Sequence, residues 1–260
     1  MIKNVLMTIE YDGTGFSGWQ IQPESRTVQG ELQKALKKIC GQEIKLDGTS
    51  RTDAGVHALG QRASFKAEFG IPVEKLALVM NNMLPGDIKI KEAKEMPLDH
   101  HARFDAKGKK YIYKIMNCAE KNVFKRNFYY YFDRPLDVEK MKEAAGYLVG
   151  THDFASFMAM GSTPQQTTVR TIYSYEVFCE SNDDGSKEIL LEVKGDGFLY
   201  NMVRIMTGTI VESGMGKIRP EEVADIILAK DRSRAGRTAP PQGLYLGEIY
   251  YTEEELERQG

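Results

Sequence analysis

An α+β protein built from two similar halves is what this sequence predicts, and three patterns carry the prediction. Strand-like and helix-like segments follow the order β-α-β-β-α-β through the first hundred residues. A comparable rhythm then repeats to the end of the chain. Within the strands, apolar and polar residues alternate, as they do in a sheet with one covered face.

The elements follow in order. "NVLMTIEYDG" (4–13) reads as a strand. "TVQGELQKALKKICG" (27–41) places Val28, Leu32, Leu36 and Ile39 at the helical period, and Gly41 ends it. "QEIKLDG" (42–48) is expected to be a short strand and "GQRASFKA" (60–67) another. "VEKLALVMNNMLPG" (73–86) reads as a helix stopped by Pro85 and Gly86, and "DIKIKEAKE" (87–95) returns as a strand. In the second half, "KKYIYKIMN" (109–117) sets Tyr111, Tyr113 and Ile115 on one face. "DVEKMKEAAGYLVG" (137–150) is a helix, and "TVRTIYSYEVFCE" with "KEILLEVKGD" forms a hairpin across "SNDDGS" (181–186). "FLYNMVRIMTGTIVESGMG" (198–216) and "RPEEVADIILAK" (219–230) read as helices, and "LYLGEIYY" (244–251) closes with a strand. The expectation is two ferredoxin-like (RRM-like) halves with largely antiparallel sheets joined around a central cleft. The first would span residues 1–105 and the second 106–260, with the junction near "HHARFDAKG" (100–108).

Composition narrows the class. The 260 residues are 42% hydrophobic and 28% charged, with a net charge of −2, which is ordinary for a globular protein with a substantial core. No apolar run approaches the ~18 residues of a membrane helix, and the N-terminus reads as a strand rather than a signal peptide. Cys40, Cys118 and Cys179 are isolated and odd in number, which fits free thiols in a reducing cytoplasm. Charge is unevenly spread. "AKGKKYIYK" (106–114) holds four lysines and no acid, and "AKDRSRAGRTAPPQ" (229–242) sets Lys230, Arg232, Arg234 and Arg237 against Asp231. Together with Lys107, Lys109 and Lys110 these arginines suggest a phosphate-binding face, although solvated surface cations explain the pattern equally well.

Several residues invite chemistry. In "GTSRTDAGVHALGQ" (48–61), Asp53 lies two residues from Arg51 in a loop rich in small and polar residues. Such an aspartate is often only a turn or cap residue. Arg204 is the only charge between Asp196 and Glu212, within the apolar run "GFLYNMVRIMTGTIV". It either snorkels to the surface or has a partner, because an unpaired interior charge costs several kcal/mol. The expected partner is Asp53, in a direct ion pair. Tyr111 lies on the apolar face of a strand in a basic segment, where an aromatic is core or a platform for a nucleobase. His100, His101 and His152 lack the spacing of a metal site, and "GTGFSG" (13–18) lacks the ending of a phosphate-binding loop.

The motifs "YDGTGFSGWQIQ" (11–22), "TVQGELQKAL" (27–36), "SRTDAGVHALGQ" (50–61), "HARFDAKGKKYIYKI" (101–115), "DGFLYNMVRIMTG" (196–208) and "TAPPQGLYL" (238–246) occur in this order. Together they closely resemble the tRNA pseudouridine synthase A family over nearly the whole chain. The resemblance implies an isomerase without metal or cofactor. Such an enzyme detaches uracil from its ribose, rotates it and rejoins it through C5, at positions 38, 39 and 40 of the tRNA anticodon arm. It implies Asp53 as the nucleophile, with Arg51 beside it and Arg204 as its buried partner. Tyr111 would pack on the target base, and Leu244 would line the pocket. It also implies a cytoplasmic homodimer. Thr49 and Ser50 ahead of Arg51, and the charges at Arg62 and Arg237, depart from the family pattern and bear on RNA contacts more than on the reaction.

Two other classes use some of the same features. A non-catalytic RRM-like RNA-binding protein would explain the fold, the aromatics and the basic segments, but needs no Arg-Thr-Asp loop. A retaining glycosidase needs a second carboxylate about 5 Å from the first, and Asp12 is the one weak candidate.

Overall fold

The structure, a computed structural model, describes residues 1–161 and 167–257. The chain divides into two compact units, Met1–Lys107 with Tyr245–Gly260, and Gly108–Leu244. Both mix helices with a largely antiparallel sheet.

In the first unit β1 (Lys3–Tyr11) is central, antiparallel to β3 (His57–Ala67) on one side and to β4 (Ile88–Met96) on the other. β2, expected over 42–48, is only Asp47–Gly48, paired antiparallel with β3. Ile44 and Leu46 are still buried, so the alternating pattern there reports packing without a ladder. α1 (Val28–Cys40) buries Val28, Leu32, Ala35 and Leu36; the Thr27 side chain accepts from the Gly30 N–H at its start, and Gly41 ends it. α2 (Val73–Asn81) buries Val73, Leu76 and Met80. The C-terminal strand β10 (Leu244–Tyr250) brings Tyr245 and Leu246 parallel to His57 and Ala58 of β3. The chain ends in the short α6 (Glu253–Glu257).

In the second unit β5 (Gly108–Asn117), β9 (Lys187–Gly195), β8 (Val169–Ser181) and β7 (Gly150–Asp153) run in that order, all antiparallel. β6 (Tyr130–Phe132) pairs in parallel with β5. β8 and β9 form the hairpin expected across residues 181–186. The sequence period failed to mark β6 and β7, because three or four residues hold too few repeats of an alternation to be read. On β5, Tyr111, Tyr113 and Ile115 share the buried face, as the alternation requires.

α3 (Val138–Gly146) is capped by Asp137, whose carboxylate accepts from the Glu139 and Lys140 N–H groups. α4 (Met202–Gly214) is the buried helix of this unit: Arg204 and Glu212 alone of its residues are not fully buried. It starts at Met202, later than the apolar run suggested, because Asn201 turns into the left-handed region at φ 59°. α5 (Glu222–Ala229) buries Val223, Ile226 and Ile227. Among the described residues no helix is long and apolar enough to cross a membrane.

Candidate active site

Asp53 sits half-buried in the loop between β2 and β3, with Arg51 exposed and Thr52 buried beside it. The loop is held from two directions. From β3, the fully buried Gln61 side chain takes Ser50 with both ends: its Oε1 accepts from the Ser50 N–H at 3.2 Å and its Nε2 donates to the Ser50 carbonyl at 2.6 Å. Thr49 adds a backbone bond to the Arg62 carbonyl at 2.9 Å, and its hydroxyl donates to the Ala102 carbonyl at 2.9 Å. The Tyr251 hydroxyl donates to that same carbonyl at 2.9 Å, and burial pushes its phenol up to about 12.

From the other side the loop is clamped by residues 11–19. The Trp19 N–H donates to the Thr52 carbonyl at 3.0 Å, and the Tyr11 and Thr52 hydroxyls lie 2.8 Å apart. Gly18, at φ +94°, lies so close that a Cβ there would be 2.7 Å from the Thr52 carbonyl oxygen. At Gly13 a Cβ would stand only 2.0 Å from the Val56 carbonyl oxygen. The Gly13 N–H donates to Nδ1 of the buried His57 at 3.0 Å, and the imidazole stacks on Tyr245 at 4.7 Å. "GTGFSG" is thus a packing surface for the Asp53 loop, and Gly13 and Gly18 serve close approach of backbone to backbone. Asp12 has a structural task as well: its Oδ1 accepts from the Thr14 N–H at 2.9 Å and the Thr14 hydroxyl at 2.6 Å, capping the turn at Gly13–Gly15.

The second unit carries Arg204, Tyr111 and Leu244. Residues 236–239 lie along α4. The Ala239 N–H donates to the Arg204 carbonyl at 3.0 Å, and Arg204 Nε returns a bond to the Ala239 carbonyl at 2.8 Å. The Gly236 N–H donates to the Thr209 hydroxyl at 2.9 Å, and Arg237 reaches Glu212 at 3.5 Å. Arg204 Nη1 donates to Asn201 Oδ1 at 2.7 Å. The half-buried guanidinium therefore has two neutral acceptors of its own unit fixing its plane. The Tyr113 hydroxyl, fully buried, donates to the Pro240 carbonyl at 2.6 Å, and burial raises the phenol well above its ordinary range. Tyr111, at 8% exposure, stands edge-to-face with Phe198 at 5.2 Å. Leu244, 5% exposed, follows the short turn at Pro241–Gly243, and so the "APPQGL" segment (239–244) is anchored on β5 at Tyr113 through Pro240 and on α4 at Arg204 through Ala239.

The cations differ in circumstance. Lys107 and Arg234 are exposed. Lys109 is half-buried on β5. Lys110 is largely covered and lies 3.7 Å from Glu192. Arg232 donates to the Ala235 carbonyl and the Thr238 hydroxyl, both at 3.2 Å, and burial lowers its pKa. Among the described residues no cluster of three or more His, Cys, Asp or Glu is placed to hold a metal ion. His100 instead meets Asp105 at 2.9 Å, and Cys40, Cys118 and Cys179 are free thiols. The sequence did not mark Gln61 or Asn201, and it pointed toward Gly13 and Gly18 only through the density of glycine at 13–18.

The family model described as tRNA pseudouridine synthase matches residues 7–105 and 144–252 of this chain. A relative from Thermoanaerobacter sp. (strain X514), "tRNA pseudouridine synthase A", is 49% identical over 250 residues, covering 96% of this chain and all of its own. One of the same name from Acetivibrio thermocellus is also 49% identical over 250 residues, with the same coverage. That of Halalkalibacterium halodurans is 45% identical over 257 residues, covering 98% of this chain and 95% of its own. With the family model matching through the Asp53 loop, α4 and β10, the chain belongs to the tRNA pseudouridine synthase family.

Proposed function

We propose that this protein converts uridine to pseudouridine in the anticodon arm of tRNA, at positions 38, 39 and 40, with Asp53 as its nucleophile. The observation that carries the reading is identity of 45–49%, along almost the entire chain, with relatives named tRNA pseudouridine synthase A. The reaction breaks the bond from ribose C1′ to N1, turns the uracil, and forms a bond from C1′ to C5, after which the C5 proton is lost. A carboxylate serves at C1′, covalently or by stabilising positive charge, provided it stays ionised. A cation beside it favours that form, and Arg204, with Arg51 nearby in sequence, is the residue proposed to supply it.

The target uridine leaves its stack at a cost of a few kcal/mol. Stacking on Tyr111 returns roughly 1–3 kcal/mol of this, and Leu244 lines the same pocket. Lys107, Lys109, Lys110, Arg232, Arg234 and Arg237 are proposed to meet phosphates, which fix position without reading sequence. The reading takes the two units as ferredoxin-like halves and the working enzyme as a cytoplasmic homodimer that uses no metal and no cofactor. Release of tritium from C5-labelled uridine in unmodified tRNA tests it. Tritium release with the strand intact is expected from the purified chain; binding of tRNA without release would leave an RNA-binding protein and refute the enzyme.

A further inference from the structure

We infer that Asn201 is a positioning residue for Arg204, and that its left-handed backbone exists to aim its carboxamide at the guanidinium. The inference rests on the reading of Arg204 given above and goes beyond it in naming what sets the arginine's geometry. Asn201 stands at the N-terminal cap of α4, where an asparagine ordinarily takes extended backbone angles and accepts a backbone N–H two or three positions on. Here it does neither. Its φ is 59° and its ψ 7°, and its side chain makes no cap bond. The third helical residue is Arg204, and Asn201 Oδ1 accepts from that residue's Nη1, at 2.7 Å, in place of its backbone N–H.

The left-handed conformation is one that few L-residues adopt, and asparagine is among those that tolerate it. Among the described residues only Glu24 and Lys230 share it without being glycine. Such backbone strain in a helix-start position calls for a compensating task. The task visible here is geometric. Ala239 O holds Nε at 2.8 Å and Asn201 Oδ1 holds Nη1, two acceptors on two nitrogens of one planar group. Two fixed points on a rigid plane define its orientation, where one would leave it free to turn.

Three substitutions and a cycle test this. Asn201→Gly keeps the freedom to adopt φ 59° and removes the acceptor; Asn201→Asp keeps both. Each is measured for thermal stability, for tRNA binding and for single-turnover pseudouridine formation, alone and with Arg204→Ala. Asn201→Gly is expected to lower the rate constant about tenfold to a hundredfold, the scale of a misplaced catalytic group, with tRNA affinity and melting temperature near wild type. Asn201→Asp is expected to restore most of that rate. In the Arg204→Ala background, Asn201→Gly is expected to cost nothing further. A wild-type rate for Asn201→Gly, or an equal loss in Asn201→Asp, overturns the inference while Arg204→Ala still shows whether the arginine matters. A wild-type rate for Arg204→Ala overturns the role of the arginine and this inference with it.

Discussion

Substituting Gly13 by alanine inserts a single methyl group against the backbone that carries Asp53. The new Cβ would lie 2.0 Å from the Val56 carbonyl oxygen, where real contacts essentially never fall below 3.0 Å. One of the two backbones must therefore retreat by about 1 Å. Neither retreats freely. The turn at Gly13–Gly15 is tied to His57 through the Gly13 N–H, and the Asp53 loop is tied to Trp19, Gln61 and Arg62. Overpacking of this kind costs about 1–3 kcal/mol of stability. A 1 Å displacement of a catalytic group costs about a hundredfold in rate. Gly13→Ala is therefore expected to fold, to melt several degrees lower, and to form pseudouridine about two orders of magnitude more slowly in single turnover. Gly70→Ala is the control, since a Cβ there meets nothing within 4 Å. A Gly13→Ala protein with wild-type rate and melting temperature would refute the clamp.

Other outcomes follow from the same geometry. Tyr111→Ala should abolish turnover, and Tyr111→Phe should fall well below wild type if the hydroxyl takes part in proton transfer; a Phe variant with a normal single-turnover rate limits the side chain to stacking. Tyr113→Phe leaves the Pro240 carbonyl without its donor and should cost about 1–3 kcal/mol in urea unfolding, and an unchanged midpoint would mean the 240–244 segment is held by other contacts. Binding to tRNA should weaken steeply with salt, and Arg234→Ala, which removes an exposed cation, should reduce the slope of log K against log salt by about one. A slope unaltered by Arg234→Ala places the phosphate contacts elsewhere.

The long periodic elements were legible because their signals are local. Thr27, four apolar residues at the helical spacing and Gly41 are enough to write α1, and the β8–β9 hairpin announces itself through "SNDDG". Short strands and the parallel pairing of β10 with β3 were not, since that pairing joins residues almost two hundred positions apart. The site divides in the same way. Asp53 stands out as an acid among small residues and Arg204 as a charge among apolar ones. Their supports leave no such mark. A glycine selected for close approach to Val56 looks like any loop glycine. The bonds from Arg204 Nε and Nη1 go to a backbone carbonyl and a carboxamide, acceptors that no charge pattern reveals.

The most direct test of the central claim is to map pseudouridine in unmodified tRNA after incubation with the purified wild-type chain and with Asp53→Asn. The account predicts new pseudouridine confined to anticodon-arm positions 38, 39 and 40 with the wild type. It predicts none with Asp53→Asn, while tRNA affinity stays within about tenfold, or 1.4 kcal/mol. Pseudouridine formed by Asp53→Asn at a rate near that of the wild type, or none formed by the wild type, would contradict it.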